Sequence, residues 1–134
     1  LLWHGVLLFL LGLLTGTVTG LLTNPRMALS AHLEGVLNGL FLLTLGLIWA
    51  HLRLSARWRD VLFWLALYGT YANWASTLLA AIFGTGRLTP IAGAGHRAAA
   101  WQENLVGVGL YSLTAAMLTV CVIALVGLRG APPR

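Results

Sequence analysis

Four apolar stretches, at about residues 1–22, 28–53, 60–83 and 101–128, divide the chain, and polar positions gather between them. At 1.5 Å per residue, ~20 residues cross a hydrocarbon layer, so each stretch predicts a membrane-spanning helix. The first is interrupted only by His4 and three threonines, and Gly12, Gly16 and Gly20 recur at every fourth position. That spacing lets a neighbouring helix approach closely. A signal peptide is the rival reading, since Ala28-Leu29-Ser30 resembles a cleavage site, but the stretch exceeds the usual ~7–15 residues of such a segment. Asn24-Pro25 ends the first helix, because proline cannot continue it and pushes its predecessor into extended geometry.

The second stretch places an imidazole, a carboxylate and an amide within seven residues of apolar helix: His32, Glu34 and Asn38. Such groups at membrane depth cost roughly 2–3 kcal/mol each even on lenient scales, so their clustering points to a site. At ~100° per residue, His32 shares a face with Gly35, Gly39 and Gly46, a smooth groove suited to a flat ring or a close helix. Glu34 and Asn38 fall together on a face roughly 120–160° away. One helix is thus predicted to address two neighbours.

Asp60 reads as the N-cap of the third helix, whose middle carries Tyr68, Thr70, Tyr71, Asn73, Ser76 and Thr77. Deep tyrosines need hydrogen-bond partners. For Thr70 and Ser76 the expectation is interhelical hydrogen bonding, whereas Tyr68, Tyr71 and Asn73 stay open between that role and chemistry. Residues 84–97 lack periodicity and form the only long loop, on the same side as His32, where they serve as a cover or a connector. Glu103 in the first turn of the fourth helix complements the helix dipole, and Gly107, Tyr111 and Thr114 share a stripe. The tail Gly130-Ala131-Pro132-Pro133-Arg134 is a terminator. The predicted fold is therefore all-α: one integral membrane four-helix bundle over residues 1–134.

Composition strengthens the membrane reading: 134 residues, 59% apolar and 8% charged, with a mean hydropathy of +0.88. The net charge of +5 does not suggest nucleic acid, because all eight basic residues are Arg and none forms a run. They sit at helix ends as interfacial anchors, with Trp49, His51 and Trp58 beside them. Five lie on the side of the termini and three on the other, a bias toward cytoplasmic termini. The chain opens at Leu1 without methionine, which implies preceding residues of unknown charge. Cys121 stands alone in an apolar run, so neither a disulfide framework nor a thiolate metal site is expected.

Phosphate-loop, zinc and Ser-His-Asp chemistries find no matching residues. A histidine against a glycine groove remains, a pairing that suits haem and equally describes a hydrogen-bonded packing histidine. Asn24 to Gly35, Leu67-Tyr68-Gly69-Thr70-Tyr71-Ala72-Asn73-Trp74 and Pro90-Ile91-Ala92-Gly93-Ala94-Gly95-His96 together resemble the hydroxylaminobenzene mutase family. Ala31-His32, Leu37-Asn38-Gly39, Ala72-Asn73 and Leu88-Thr89 are more distantly similar to styrene oxide isomerase.

The first resemblance implies a bacterial inner-membrane enzyme that isomerises an aryl hydroxylamine to an ortho-aminophenol in nitroarene degradation. The second implies haem b shared in a homo-oligomer, a trimer, with His32 as the axial ligand against Gly35 and Gly39, and Asn38 in the pocket. Where that enzyme carries an aspartate and a tyrosine on its third helix, this chain has Tyr68 and Thr77, so Tyr68, Asn73 and Glu34 become the acid-base candidates beside Asn38. The partners implied are a small aromatic substrate and membrane lipid. The alternatives are an aryl epoxide as substrate, a cytochrome using His96 as second ligand, and a transporter or purely structural bundle.

Overall fold

The computed structural model describes residues 1–129; the expected terminator at 130–134 lies outside the described residues. Its elements are α1 (Leu2–Thr17), α2 (Pro25–Ile48), α3 (Ala56–Phe83), the single turn α4 (Pro90–Gly93) and α5 (Ala100–Arg129). Short 3-10 turns at Thr19–Leu21 and Trp49–His51 follow α1 and α2, and there is no strand among the described residues.

Local chemistry explains where the boundaries differ from expectation. α2 starts at Pro25, three residues before the predicted start, because Asn24 Oδ1 accepts from the Met27 amide at 3.1 Å and proline suits the first helical position. α3 starts at Ala56 after Ser55, so Asp60 is not its N-cap but lies in the second turn. Nothing in Arg57-Trp58-Arg59 opposes helix, and the Arg59 guanidinium donates to the Leu52 carbonyl at 2.9 Å across the connection. α3 ends at Phe83 as predicted: Gly84 takes the left-handed conformation, φ 72°, and donates its amide to Ala80. α1 tightens into a 3-10 turn after Thr17, short of the expected Leu22.

Each long helix packs on its predecessor, α1 on α2, α2 on α3 and α3 on α5, with slight contact between α1 and α3. Among the described residues α1 and α5 do not pack together to close a ring. The main core joins Leu8, Leu42, Leu45, Leu62, Leu67, Val120 and Ile123. A smaller one joins Met27, Ala28, Ala80, Ala81 and Val106 at the other end. Burying such side chains contributes about 25 cal/mol per Å² of apolar surface.

Pro25–His51 and Ala100–Arg129 are long and apolar enough to cross a membrane, and α1 is a shorter apolar helix. Much of their apolar surface faces outward: Trp3, Leu47, Val108 and Leu118 are all more than 60% exposed. A water-soluble domain rarely leaves so many large apolar side chains exposed.

Candidate active site on the two faces of α2

The first face of α2 meets α1 through glycine. A Cβ on Gly39 would stand 2.6 Å from the Phe9 amide nitrogen, and one on Gly12 would stand 2.5 Å from that of Val36. The backbones touch because neither side carries a side chain. This corrects the expected role of Gly35 and Gly39: α1 fills their groove, with Gly12 against Gly35, so they are packing residues and offer no surface to a flat cofactor within the chain. Leu1 and Leu2 similarly cover Gly46.

His32 lies at the end of this seam, partly exposed. Its Nδ1 is 2.8 Å from the Gly12 carbonyl oxygen. A carbonyl only accepts, so Nδ1 carries a proton, and in the neutral imidazole the lone pair then lies on Nε2, the form in which an imidazole binds a metal. Gly16 supplies the room, since a Cβ there would stand 2.7 Å from Nδ1.

The second face meets α3. Asn38 Nδ2 donates to the Glu34 carbonyl at 2.8 Å and to Glu34 Oε2 at 3.0 Å. Asn73 Nδ2, from α3, donates to the same Oε2 at 2.6 Å. Glu34, Asn38 and Asn73 thus form one cluster, with Asn38 buried and the other two partly so. The division of α2 into two faces follows the helical periodicity, and both neighbours belong to the same chain.

Tyr68 does not join this cluster. Its hydroxyl lies 2.6 Å from Ser112 Oγ on α5, and the side chain is 47% exposed. Tyr71 instead reaches α1, where its hydroxyl lies 3.2 Å from His4 Nδ1. Among the described residues Thr70 makes no interhelical bond, contrary to expectation: it donates to Ala66 of its own helix. Thr77 likewise bonds Asn73. Ser76 lies against Gly109 of α5, where a Cβ would meet the serine hydroxyl. The α5 stripe splits, with Gly107 buried and Tyr111 exposed.

Trp74 is the residue that pattern-reading passed over. Its indole N–H donates to Thr15 Oγ1 at 3.1 Å, and its ring edge lies on Gly35, so one side chain pins α3 to α1 across α2. Its place beside Asn73, inside the Ala72-Asn73-Trp74 segment, was the available signal.

The loop is fastened to the starts of α2 and α5. Asn24 Nδ2 donates to the carbonyls of Ala92 and Gly93, both at 3.0 Å. The Glu103 carboxylate accepts from the amides of Gly86, Arg87 and Ala98. It therefore organises the loop besides sitting at a helix start. A cavity of about 600 Å³ lies there, lined by Arg87, His96, Arg97 and Glu103 among others. His96 Nδ1 is engaged with the Gly93 carbonyl at 3.0 Å. Among the described residues no three His, Cys, Asp or Glu side chains gather in a metal-binding group.

The family model described as styrene oxide isomerase matches residues 1–129. The chain belongs to the styrene oxide isomerase family. Within this isomerase family it is similar to hydroxylaminobenzene mutase HabB of Ectopseudomonas oleovorans, 56% identical over 135 residues, 100% of this chain and 82% of that protein. Hydroxylaminobenzene mutase HabA of the same organism is 45% identical over 125 residues, 92% of this chain and 93% of that protein. No solved structure matches the chain. The family match spans His32, the Glu34 cluster and the loop together, so both faces of α2 lie inside what the family shares in length.

Proposed function

We propose that this isomerase converts aryl hydroxylamines such as hydroxylaminobenzene to ortho-aminophenols within a membrane, using haem b held at His32. The observation that carries the substrate assignment is the 56% identity to HabB along the whole chain. In the reaction the N–O bond breaks, a C–O bond forms at the ortho carbon, and the proton displaced from that carbon ends on nitrogen. No oxidant or reductant is consumed.

The residues present fit haem at one point: with Nδ1 held by the Gly12 carbonyl, the neutral His32 ring would offer Nε2 as a ligand, and Gly16 makes room for the ring at its Nδ1 edge. Iron bound there would supply a Lewis acid for the hydroxylamine oxygen. The chain's own residues do the rest. Gly12 holds the imidazole's orientation, and the amides of Asn38 and Asn73 hold Glu34, whose carboxylate takes the ortho proton and returns one to nitrogen. The apolar helices admit an aromatic ring and exclude bulk water.

His32 and Glu34 serve different faces of α2, so the proposed unit is a homo-oligomer, a trimer by the family likeness, in which one subunit's His32 face lies beside another's Glu34 face. Tyr68, outward on α3, would reach substrate only across such a boundary. The family description itself favours a second reading, an aryl epoxide as substrate.

The deciding experiment uses the full chain purified in lipid nanodiscs and offered phenylhydroxylamine or styrene oxide, before and after haem depletion. Formation of 2-aminophenol, with a Soret band and loss of turnover on depletion, is expected. Turnover of styrene oxide alone selects the second reading, and turnover of neither returns the chain to a transport or structural role.

A further inference from the structure

We propose that Glu34, Asn38 and Asn73 form a subsite that selects substrates able to donate hydrogen bonds, reading the N–H and O–H of an aryl hydroxylamine and rejecting the donor-free epoxide. This rests on the function proposed above and adds what decides between two substrate classes of one family.

The direction of every hydrogen bond in the cluster points to this role. Both amides spend nitrogen on Glu34: Asn38 on its carbonyl and Oε2, Asn73 on Oε2. An Asn side chain whose nitrogen faces a carboxylate must turn its oxygen away, because the flipped amide would set two acceptors against each other. Three acceptors are thereby left over: Glu34 Oε1, Asn38 Oδ1 and Asn73 Oδ1. They are not sealed in the interior, since the buried side-chain N and O atoms without a partner among the described residues are Arg59 Nε and Thr85 Oγ1.

With Glu34 as the carboxylate that the proposed reaction uses, one N–H of Asn73 is the only donor the cluster has left against these three acceptors. In apolar surroundings acceptors without donors are costly, and a ligand that supplies donors removes the cost. An aryl hydroxylamine brings an N–H and an O–H. An aryl epoxide brings only another acceptor oxygen, which would face the three already there. In the carboxylate form that the proposed reaction uses, Glu34 keeps Oε2 clamped by the two amides and offers Oε1 to the substrate.

The test measures binding of unreactive isosteres to the full chain in nanodiscs, corrected for their partition into lipid: aniline, which donates, and toluene, which does not. Aniline should bind at least about tenfold more tightly, as one good hydrogen bond to a charged acceptor implies. Glu34→Gln should bring that preference to within about twofold, because the Gln oxygen takes the Asn N–H groups and its own NH₂ replaces Oε1. Wild-type protein carrying ¹³C-carboxyl Glu gives a second measurement should that variant fail to fold: aniline should shift a carboxylate infrared band and toluene should not.

Equal affinities in the wild type, a preference surviving Glu34→Gln, or an unmoved band would each overturn the subsite. If phenylhydroxylamine were still converted, only this inference would fall. If binding followed donors but phenylhydroxylamine were not converted, the proposed reaction would fall and the subsite would stand.

Discussion

The two seams of α2 are built on opposite principles. Against α1 the contact is backbone on backbone, made by Gly12, Gly35 and Gly39, and it carries a single side-chain hydrogen bond, from His32 to Gly12. Against α3 a carboxylate is clamped by two amides, with open acceptor atoms around it. The glycine seam fixes a position with almost no adjustable parts, as suits an imidazole that must point one way. The polar seam holds groups that can exchange partners, as suits contact with a molecule that arrives and leaves.

The largest effect should come from breaking the rigid seam. Gly39→Leu places a branched side chain where the Phe9 backbone already lies. Overpacking of this kind costs about 1–3 kcal/mol when a flexible side chain can yield, and here the obstacle is backbone. The variant should lose folded yield and thermal stability, read from circular dichroism melting, and activity with them. An active, stable Gly39→Leu protein would mean that α1 does not sit on this face.

His32→Ala separates fold from function at the same seam. Alanine is a good helix former, so the melting temperature should change little while haem content and turnover fall together, by about 100-fold or more for turnover if an iron ligand is lost. Retention of both, measured by Soret absorbance and product formation, would return His32 to packing.

How far the sequence carried the fold can be seen at these positions. The period of ~3.6 residues sufficed to separate His32 from Glu34 and to group Glu34 with Asn38. What lay opposite each face was illegible. A glycine groove reads the same whether a cofactor or a helix fills it, and only the packing of α1 decides. Tyr68 and Asn73 sit five positions apart in one polar stretch, yet one bonds α5 and the other α2. The N-cap at Ser55 went unread because it makes no side-chain bond, so Asp60 offered the stronger local signal. The Trp74–Thr15 bond joins residues 59 apart in sequence, beyond any local pattern.

Whether the two seams cooperate within one chain or between chains is tested by co-assembling His32→Ala with Asn38→Ala. If neighbouring subunits combine their faces, mixed oligomers of two inactive variants should regain about a tenth or more of wild-type turnover. No recovery in verified mixed oligomers would confine the site to a single chain. The smallest effect should come from Trp74→Phe, which keeps a ring on Gly35 and removes one hydrogen bond to Thr15. A loss of about 0.5–1.5 kcal/mol is expected, read as a modest fall in melting temperature with haem retained. A collapse of haem content would instead tie the polar seam to the orientation of His32.

Asn24 imposes a schedule on how this protein is made. Its side-chain nitrogen binds carbonyls 68 and 69 residues further along, while its backbone amide waits for Ala81 of α3. At ~5–20 residues per second, translation delivers the loop roughly 3–14 s after Asn24 has emerged. Even after Ile48 has completed α2, the Asn24 side-chain nitrogen between the two helices has no protein partner, so water or lipid headgroups must satisfy it until the ribosome supplies the latch.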